Sequence, residues 1–341
     1  MPASVQITIE DPSQSAQARR IAMRLAEQNG FDEVRAGQVG IVVTEACTNI
    51  LKHAGSGEIL IQLTDPGSAE AVPDFEMLAV DKGPGMDNLE KCLRDGFSTG
   101  GSPGQGLGAI QRLSDESDFY SARGEGTTVL ARWHGTKRPA GATAHQQQIR
   151  LGAVNVPKRG EEFCGDSWGV EHAGCTATIM VADGLGHGYE ASLASLGAVH
   201  ILRKNRESQP GVLINLAHHA LRSLRGAAVS VARIDATAST ITFSGLGNVM
   251  AQIYTGSQRA QHLVSVNGTA GHHAARIREF SYDWPKDGIL VIYSDGLATS
   301  TSLEARPGLT QRDPSLIAAV LYRDFARGHD DATVVVAKAV E

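Results

Sequence analysis

The sequence has only four cysteines, Cys47, Cys92, Cys164 and Cys175, scattered without a Cys-x-x-Cys pair. That spacing argues against a thiolate metal knuckle or a disulfide framework and fits reduced, buried thiols in a cytosolic chain. No apolar run approaches the ~18 residues of a membrane span. The N-terminus has no basic segment followed by an apolar one, so no leader is expected. Excess positive charge is missing too. The 31 Lys and Arg against 37 Asp and Glu give a net charge of -6, with no basic amphipathic run, which argues against broad nucleic-acid or anionic-membrane binding. No repeat relates the two halves. What remains is a globular composition, 42% hydrophobic and 20% charged, in 341 residues, long enough for two domains of a soluble cytoplasmic protein.

In the first half, residues 5–9 alternate as a strand. Residues 15–29 form an amphipathic helix with Ala18, Ile21, Ala22 and Leu25 on one stripe. Residues 35–53 read as a second helix, on which Glu45, Asn49 and His53 are four apart. They share one face, either meeting a common ligand or forming a solvated edge. Strands at 59–63 and 75–80 follow, the second running into Asp81-Lys82-Gly83-Pro84-Gly85. Gly104-Gln105-Gly106-Leu107-Gly108 then opens a helical stretch at 109–113, and strands at 119–121 and 127–133 close the half. A glycine-rich loop before a helix exposes amides suited to phosphate, though alone it is weak.

The order Glu-x-x-x-Asn, Asp-x-Gly-x-Gly, Gly-x-Gly-Leu-Gly, Gly-Thr-Thr resembles the ATP-binding fold of histidine kinases, gyrase-type ATPases and bacterial anti-sigma kinases. Within it, the run from Gly106 to Glu116 looks most like the RsbT/RsbW serine kinases. The resemblance covers residues 5–134 and implies roles by match. Asn49 holds Mg²⁺ against ATP, with His53 nearby, and Glu45 orients or deprotonates the attacking hydroxyl. Asp81 accepts the adenine amino group beside Thr127, and Gly83 and Gly85 let the base approach. Amides around Gly104, Gly106, Leu107 and Gly108 cradle phosphates. No phosphoacceptor-histidine helix precedes the domain, so a sensor kinase is not expected.

Residues 136–148, with a Pro-Ala-Gly break and a glutamine run, read as a linker. Beyond it, an apolar run at 179–182 enters Asp183-Gly184-Leu185-Gly186-His187-Gly188, and a helix pattern follows at 190–202. Gly165-Asp166, Ser294-Asp295-Gly296 and Asp330-Asp331 likewise stand at strand edges. Each alone is an ordinary turn. Together they suggest a carboxylate cage for two Mg²⁺ or Mn²⁺, hard cations that favour oxygen ligands. The adjacent pairs His218-His219 and His272-His273 lack the i, i+4 spacing of a helical zinc site.

The pattern Gly-Asp, Ala-Asp-Gly, Ser-Asp-Gly, Asp-Asp-x-Thr resembles the PP2C-like phosphatases of the SpoIIE and RsbX group over residues 149–339. By match, Asp183 bridges both metals with the Gly184 carbonyl on one of them, and Asp166, Asp295 and Asp330 complete the cage. Asp331 stands where eukaryotic relatives often carry a metal-site Asn. Leu185 replaces the histidine that follows Asp-Gly in those relatives; His187 is either its substitute or part of the turn. The expected fold is α+β in two domains: a GHKL (Bergerat) α/β sandwich over 1–135 and a PP2C-like αββα sandwich over 149–341. The implied function is partner switching, with a serine kinase and an opposing phosphatase acting on a STAS-domain antagonist. Alternatively the first domain is a non-catalytic module that senses ATP or sequesters a sigma factor or STAS protein.

Overall fold

The computed structural model describes residues 3–64, 72–89, 106–135, 149–255, 259–274 and 276–340. The chain divides into two compact units, one of Ser4–Ala142 and one built on Thr143–Glu341. The linker expected at 136–148 and Cys92 lie outside the described residues.

The first unit sets helices α1 (Pro12–Gln28), α2 (Glu33–Asn49) and α3 (Gly106–Leu113) with a five-stranded sheet. Its strands are β1 (Val5–Ile9), β2 (Gly57–Leu63), β3 (Phe75–Asp81), β4 (Glu116–Ser121) and β5 (Thr127–Trp133), in the order β1-β2-β3-β5-β4, every pair antiparallel. Helix α1 begins at Pro12, three residues before the start expected from the sequence, because Asp11 caps it. The Asp11 carboxylate accepts from Ser13 N at 2.7 Å, and the Gln14 side chain accepts from Asp11 N at 2.9 Å, a reciprocal capping box. Val39, Val42, Val43 and Ala46 of α2 repeat at helical spacing and share one core with alternate sheet residues Ile59, Ile61, Met77, Ala79, Val129 and Ala131. The expected helix to residue 53 ends at Asn49, and a π-helical turn, Ile50–Ala54, takes over. Its wider winding breaks the four-residue spacing, so His53, which is exposed, does not continue the Glu45–Asn49 row.

The second unit is a sandwich of two five-stranded antiparallel sheets. One contains β7 (Asp166–Ala173), β8 (Thr176–Gly184), β9 (Ala227–Asp235), β10 (Thr240–Leu246) and β15 (Phe280–Asp283), ordered β15-β10-β9-β8-β7. The other contains β6 (Ile149–Val156), β11 (Met250–Tyr254), β12 (Gln261–His262), β16 (Ile289–Tyr293) and β17 (Ala332–Ala339), ordered β12-β11-β16-β17-β6. A two-stranded ribbon, β13 (Gly268–Thr269) with β14 (His273–Ala274), forms a separate small sheet that abuts β9 through the Ala227–Ala270 bridge. Helices α4 (Tyr189–Lys204) and α5 (Pro210–Ala220) cover the first sheet, and α6 (Pro314–Phe325) the second. Strand β8 reads as a continuous apolar run because both its faces are buried. Ile179 and Val181 join the core between the sheets, while Met180 and Ala182 join Ala198, Leu202, Leu213 and Ile214 under the helices.

Helix α6 has no amphipathic stripe since Pro314 through Arg323 are all buried, leaving no solvent-facing side along that length. Its close approach to β6 depends on Gly152, where a Cβ would fall 2.0 Å from Ser315 N. Of the thiols, Cys47 and Cys164 are buried as expected, whereas Cys175 is exposed at the β7–β8 turn.

Candidate active sites

In the second unit, Asp166 opens β7 and Asp183 nearly closes β8, and the two are direct partners in the antiparallel ladder. Strands β16 and β17 are antiparallel neighbours, with Tyr293 opposite Val334. Asp295, two residues beyond β16, therefore comes to the same edge as Asp330 and Asp331, which lead into β17. Four strand ends from two sheets thus gather five carboxylates.

Their electrostatics record the crowding. Burial first, then Asp166, Asp295, Asp330 and Asp331, pushes the Asp183 carboxyl far above the usual carboxylate range. Burial likewise raises Asp166, partly offset by the side chains of Ser294 and Thr333, with Asp331 and Asp295 adding to the rise. Asp295 is raised by burial and Asp330, against Arg327 and a 2.6 Å bond from Asn248 Nδ2 to its Oδ2. Asp331 is raised by burial although Lys158 N donates to its Oδ1 at 2.9 Å. The Oδ2 atoms of Asp166 and Asp331 are buried without any hydrogen-bond partner. Asp183, Asp295 and Asp330 line an open cavity of about 190 Å³ together with Lys158, His187 and Asn248.

Among the described residues, no three or more His, Cys, Asp or Glu side chains have the spacing of a closed ligand set. The donor chemistry nonetheless fits a hard divalent cation. Buried acceptor oxygens without donors, beside carboxylates that raise one another's pKa, are satisfied by a cation more readily than by further hydrogen bonds.

In the first unit, Glu45 and Asn49 occupy consecutive turns of α2. A Cβ on Gly106, the first residue of α3, would lie 3.2 Å from Glu45 Oε2 and 3.3 Å from Asn49 Oδ1. The N-terminal amides of Gly106, Leu107 and Gly108 thus begin beside both side chains, and a helix N-terminus favours anions. Asn49 Nδ2 is buried without a partner, which fits a ligand contact. Asp81 ends β3, and its Oδ1 accepts from Gly83 N at 2.8 Å and Thr127 N at 3.2 Å. Gly85 has φ +68, and a Cβ there would sit 2.0 Å from Ala122 O. Gly104 lies outside the described residues. The structure therefore groups Glu45, Asn49 and Gly106, and separately Asp81, Gly83 and Thr127.

Residues 9–133 match the histidine kinase-like ATPase domain family. Over 118 residues the chain is 36% identical to the serine/threonine-protein kinase RsbT of Bacillus subtilis (strain 168), covering 34% of this chain and 86% of RsbT. The chain belongs to the family of RsbT. Residues 174–340 match the Stage II sporulation protein E (SpoIIE) family. The phosphoserine phosphatase RsbX of the same organism is 24% identical over 151 residues, 44% of this chain and 76% of RsbX. A solved structure from work on the bacterial stressosome, a modular system adapted to control secondary messenger signaling, covers 56% of this chain and 100% of its own at 22% identity and a TM-score of 0.52. At that identity the likeness speaks for the fold alone. An RsbT-like kinase/ATPase domain is thus joined to a SpoIIE-type PP2C domain, as the motifs implied.

Lys158 and Asn248 line the SpoIIE-type cavity without having been singled out in the sequence. Lys158 lies in the stretch before Asp166 and Asn248 follows a glycine bend; each reaches the site through tertiary structure, and Glu161 reaches it through its contact with His187. In the RsbT-like domain, Ser121 also went unnoticed. Its Oγ donates to Gly126 O at 2.9 Å and lies 3.1 Å from Thr127 Oγ1, bracing the Asp81 pocket.

Proposed function

We propose that the chain is a cytoplasmic partner-switching regulator with two opposed activities toward a STAS-domain antagonist. One is a metal-dependent phosphatase for phosphoserine or phosphothreonine; the other is an ATP-dependent serine kinase. The observation that carries the reading is the convergence of Asp166, Asp183, Asp295, Asp330 and Asp331 from four strand ends of the two sheets, with two buried carboxylate oxygens lacking donors.

Asp183 would be the shared ligand of two Mg²⁺ or Mn²⁺, with the Gly184 carbonyl, Asp166, Asp295 and Asp330 completing the set and Asp331 adjoining. Such ions, when bound, acidify a water and neutralise the substrate phosphate. The chain's own contribution is placement. Strand ends hold like charges together that would separate in a flexible loop, and a phosphoseryl side chain would enter the cavity beside Lys158. No cysteine or serine nucleophile is needed.

For the kinase half, Glu45 would orient or deprotonate the attacking seryl hydroxyl and Asn49 would hold Mg²⁺. The α3 amides would take the phosphates, and Asp81, with Thr127 beside it, the adenine amino group. The 36% identity to a protein named as a serine/threonine kinase, and the likeness to one named as a phosphoserine phosphatase, support pairing the two activities.

The test mixes purified full chain with ATP, Mg²⁺ or Mn²⁺ and a STAS-domain protein from the same genome, and follows intact mass. Asp183→Asn should accumulate phosphorylated partner and Glu45→Ala should not. If no variant adds phosphate while wild type clears a pre-phosphorylated partner, the kinase half is wrong and the ATP domain binds or senses. If wild type leaves that partner phosphorylated, the phosphatase half is wrong.

A further inference from the structure

A departing seryl oxygen is strongly basic, so breaking its bond to phosphorus calls for a proton donor. None of the carboxylates discussed above has been given that task, and Leu185 cannot serve. One acid–base side chain on the cavity wall has a suitable partner. His187 lines the cavity with Asp183, Asp295 and Asp330, and its Nδ1 lies 2.6 Å from Glu161 Oε1. With Nδ1 engaged, Nε2 is the ring nitrogen left for the cavity. A carboxylate on one imidazole nitrogen fixes the ring's orientation and tautomer, as in other acid–base pairs.

Two further features hold the pair together. Gly188 has φ +75, and a Cβ there would lie 2.8 Å from Glu161 Oε2, so the turn leaves room for the carboxylate. Two positions on from each partner, Phe163 and Tyr189 meet edge to face with ring centroids 5.2 Å apart. That contact ties the loop bearing Glu161 to the start of α4. A part-exposed ion pair adds little to stability, so stability does not account for the arrangement. His329 also lines the cavity, but its Nδ1 faces the main-chain oxygen of Arg327 at 3.1 Å.

We infer that His187 is the proton donor to the leaving seryl oxygen and that Glu161 is its positioning residue; the inference rests on the phosphatase reading. Hydroxide adds to phosphorus, the bond from phosphorus to the seryl oxygen breaks, and that oxygen takes the Nε2 proton. The products are a seryl hydroxyl, hydrogen phosphate and neutral His187, which regains a proton from solvent.

The test uses the full chain with MnCl₂ and two substrates. One is a phosphoseryl peptide, whose leaving oxygen needs a proton; the other is p-nitrophenyl phosphate, whose phenolate leaves without one. His187→Gln should lower kcat on the peptide by about 100-fold, and by at least about tenfold more than on p-nitrophenyl phosphate. Glu161→Ala should show a smaller loss of the same selectivity. Glu161→Gln should recover part of it, because its amide oxygen still accepts from Nδ1–H. Equal losses on both substrates, or a selective loss in His329→Gln instead, overturn the assignment while leaving the phosphatase reading intact. A wild-type chain inactive on both substrates overturns that reading and the proton donor with it.

Discussion

Replacing Asp183 by Asn should make the SpoIIE-type unit more stable in EDTA and remove its response to Mn²⁺. Asp183 faces Asp166 directly across the β7–β8 ladder, where opposed Cβ atoms lie ~5 Å apart. Unit charges at that distance repel by about 3 kcal/mol at an effective dielectric near 20. Asp295, Asp330 and Asp331 push the same way. Protonation already relieves part of the repulsion, so a net gain of about 2 kcal/mol is expected at neutral pH. The sign follows from the direction of the shift. A carboxyl whose folded pKa is raised costs stability only above its unfolded pKa, and the cost grows as pH climbs toward the folded value. The advantage of Asn should therefore vanish near pH 3 and widen toward pH 8. In a unit of roughly 200 residues, 2 kcal/mol is about 4–8 °C in Tm. Calorimetry of the full chain in EDTA and in MnCl₂ reads both effects. Wild type should gain about 2.7 kcal/mol at a hundredfold excess of Mn²⁺ over Kd, and Asp183→Asn little. A variant that melts lower in EDTA yet keeps the full Mn²⁺ shift would refute the carboxylate cage.

Two other outcomes concern the RsbT-like domain. Asn49→Ala removes the buried amide that lacks a partner, so Mg²⁺-dependent ATP affinity should fall by about tenfold or more with the fold unchanged, the loss of roughly one charge-assisted contact; unaltered calorimetric binding would contradict the assignment. His134 lies 3.1 Å from Asp74 Oδ2 and 3.3 Å from Glu116 Oε1, and bonds to Asp74 and then Glu116 raise its pKa from 6.5 to about 9. A raised pKa gives stability that is complete below pH 6.5 and lost as pH passes 9. In this partly exposed setting the contribution is about 1 kcal/mol. Unfolding free energies from urea titrations should fall between pH 6 and 9.5 by that much more in wild type than in His134→Gln, and identical pH slopes would count against it.

The sequence made local features legible and tertiary ones not. The alternating residues 5–9 mark β1 to the residue, and the strand expected at 127–133 matches β5. Asp-Gly corners announced Asp183 and Asp295 because a tight turn after an apolar strand leaves a chemical trace. The π-helical turn at Ile50–Ala54 left none, since its residues suit an α-helix equally well. Helix α6 vanished for the opposite reason, being buried on every side. The pairing of Glu161 with His187 spans 26 positions, and no periodicity reports which loop a turn will meet.

Strand β7 is the last in its sheet, bonded to β8 alone. Asp166 is thus carried by an edge, the part of a sheet whose alignment is least constrained. Side chains alternate faces along a strand, so a slip of one residue would turn Asp166 away from Asp183 and present Ser167 or Gly165 in its place. A chain with that slip would keep most of its sheet and core yet have no site. The gathering of the five carboxylates therefore depends on the register of one edge strand, since only the correctly threaded edge sets Asp166 opposite Asp183.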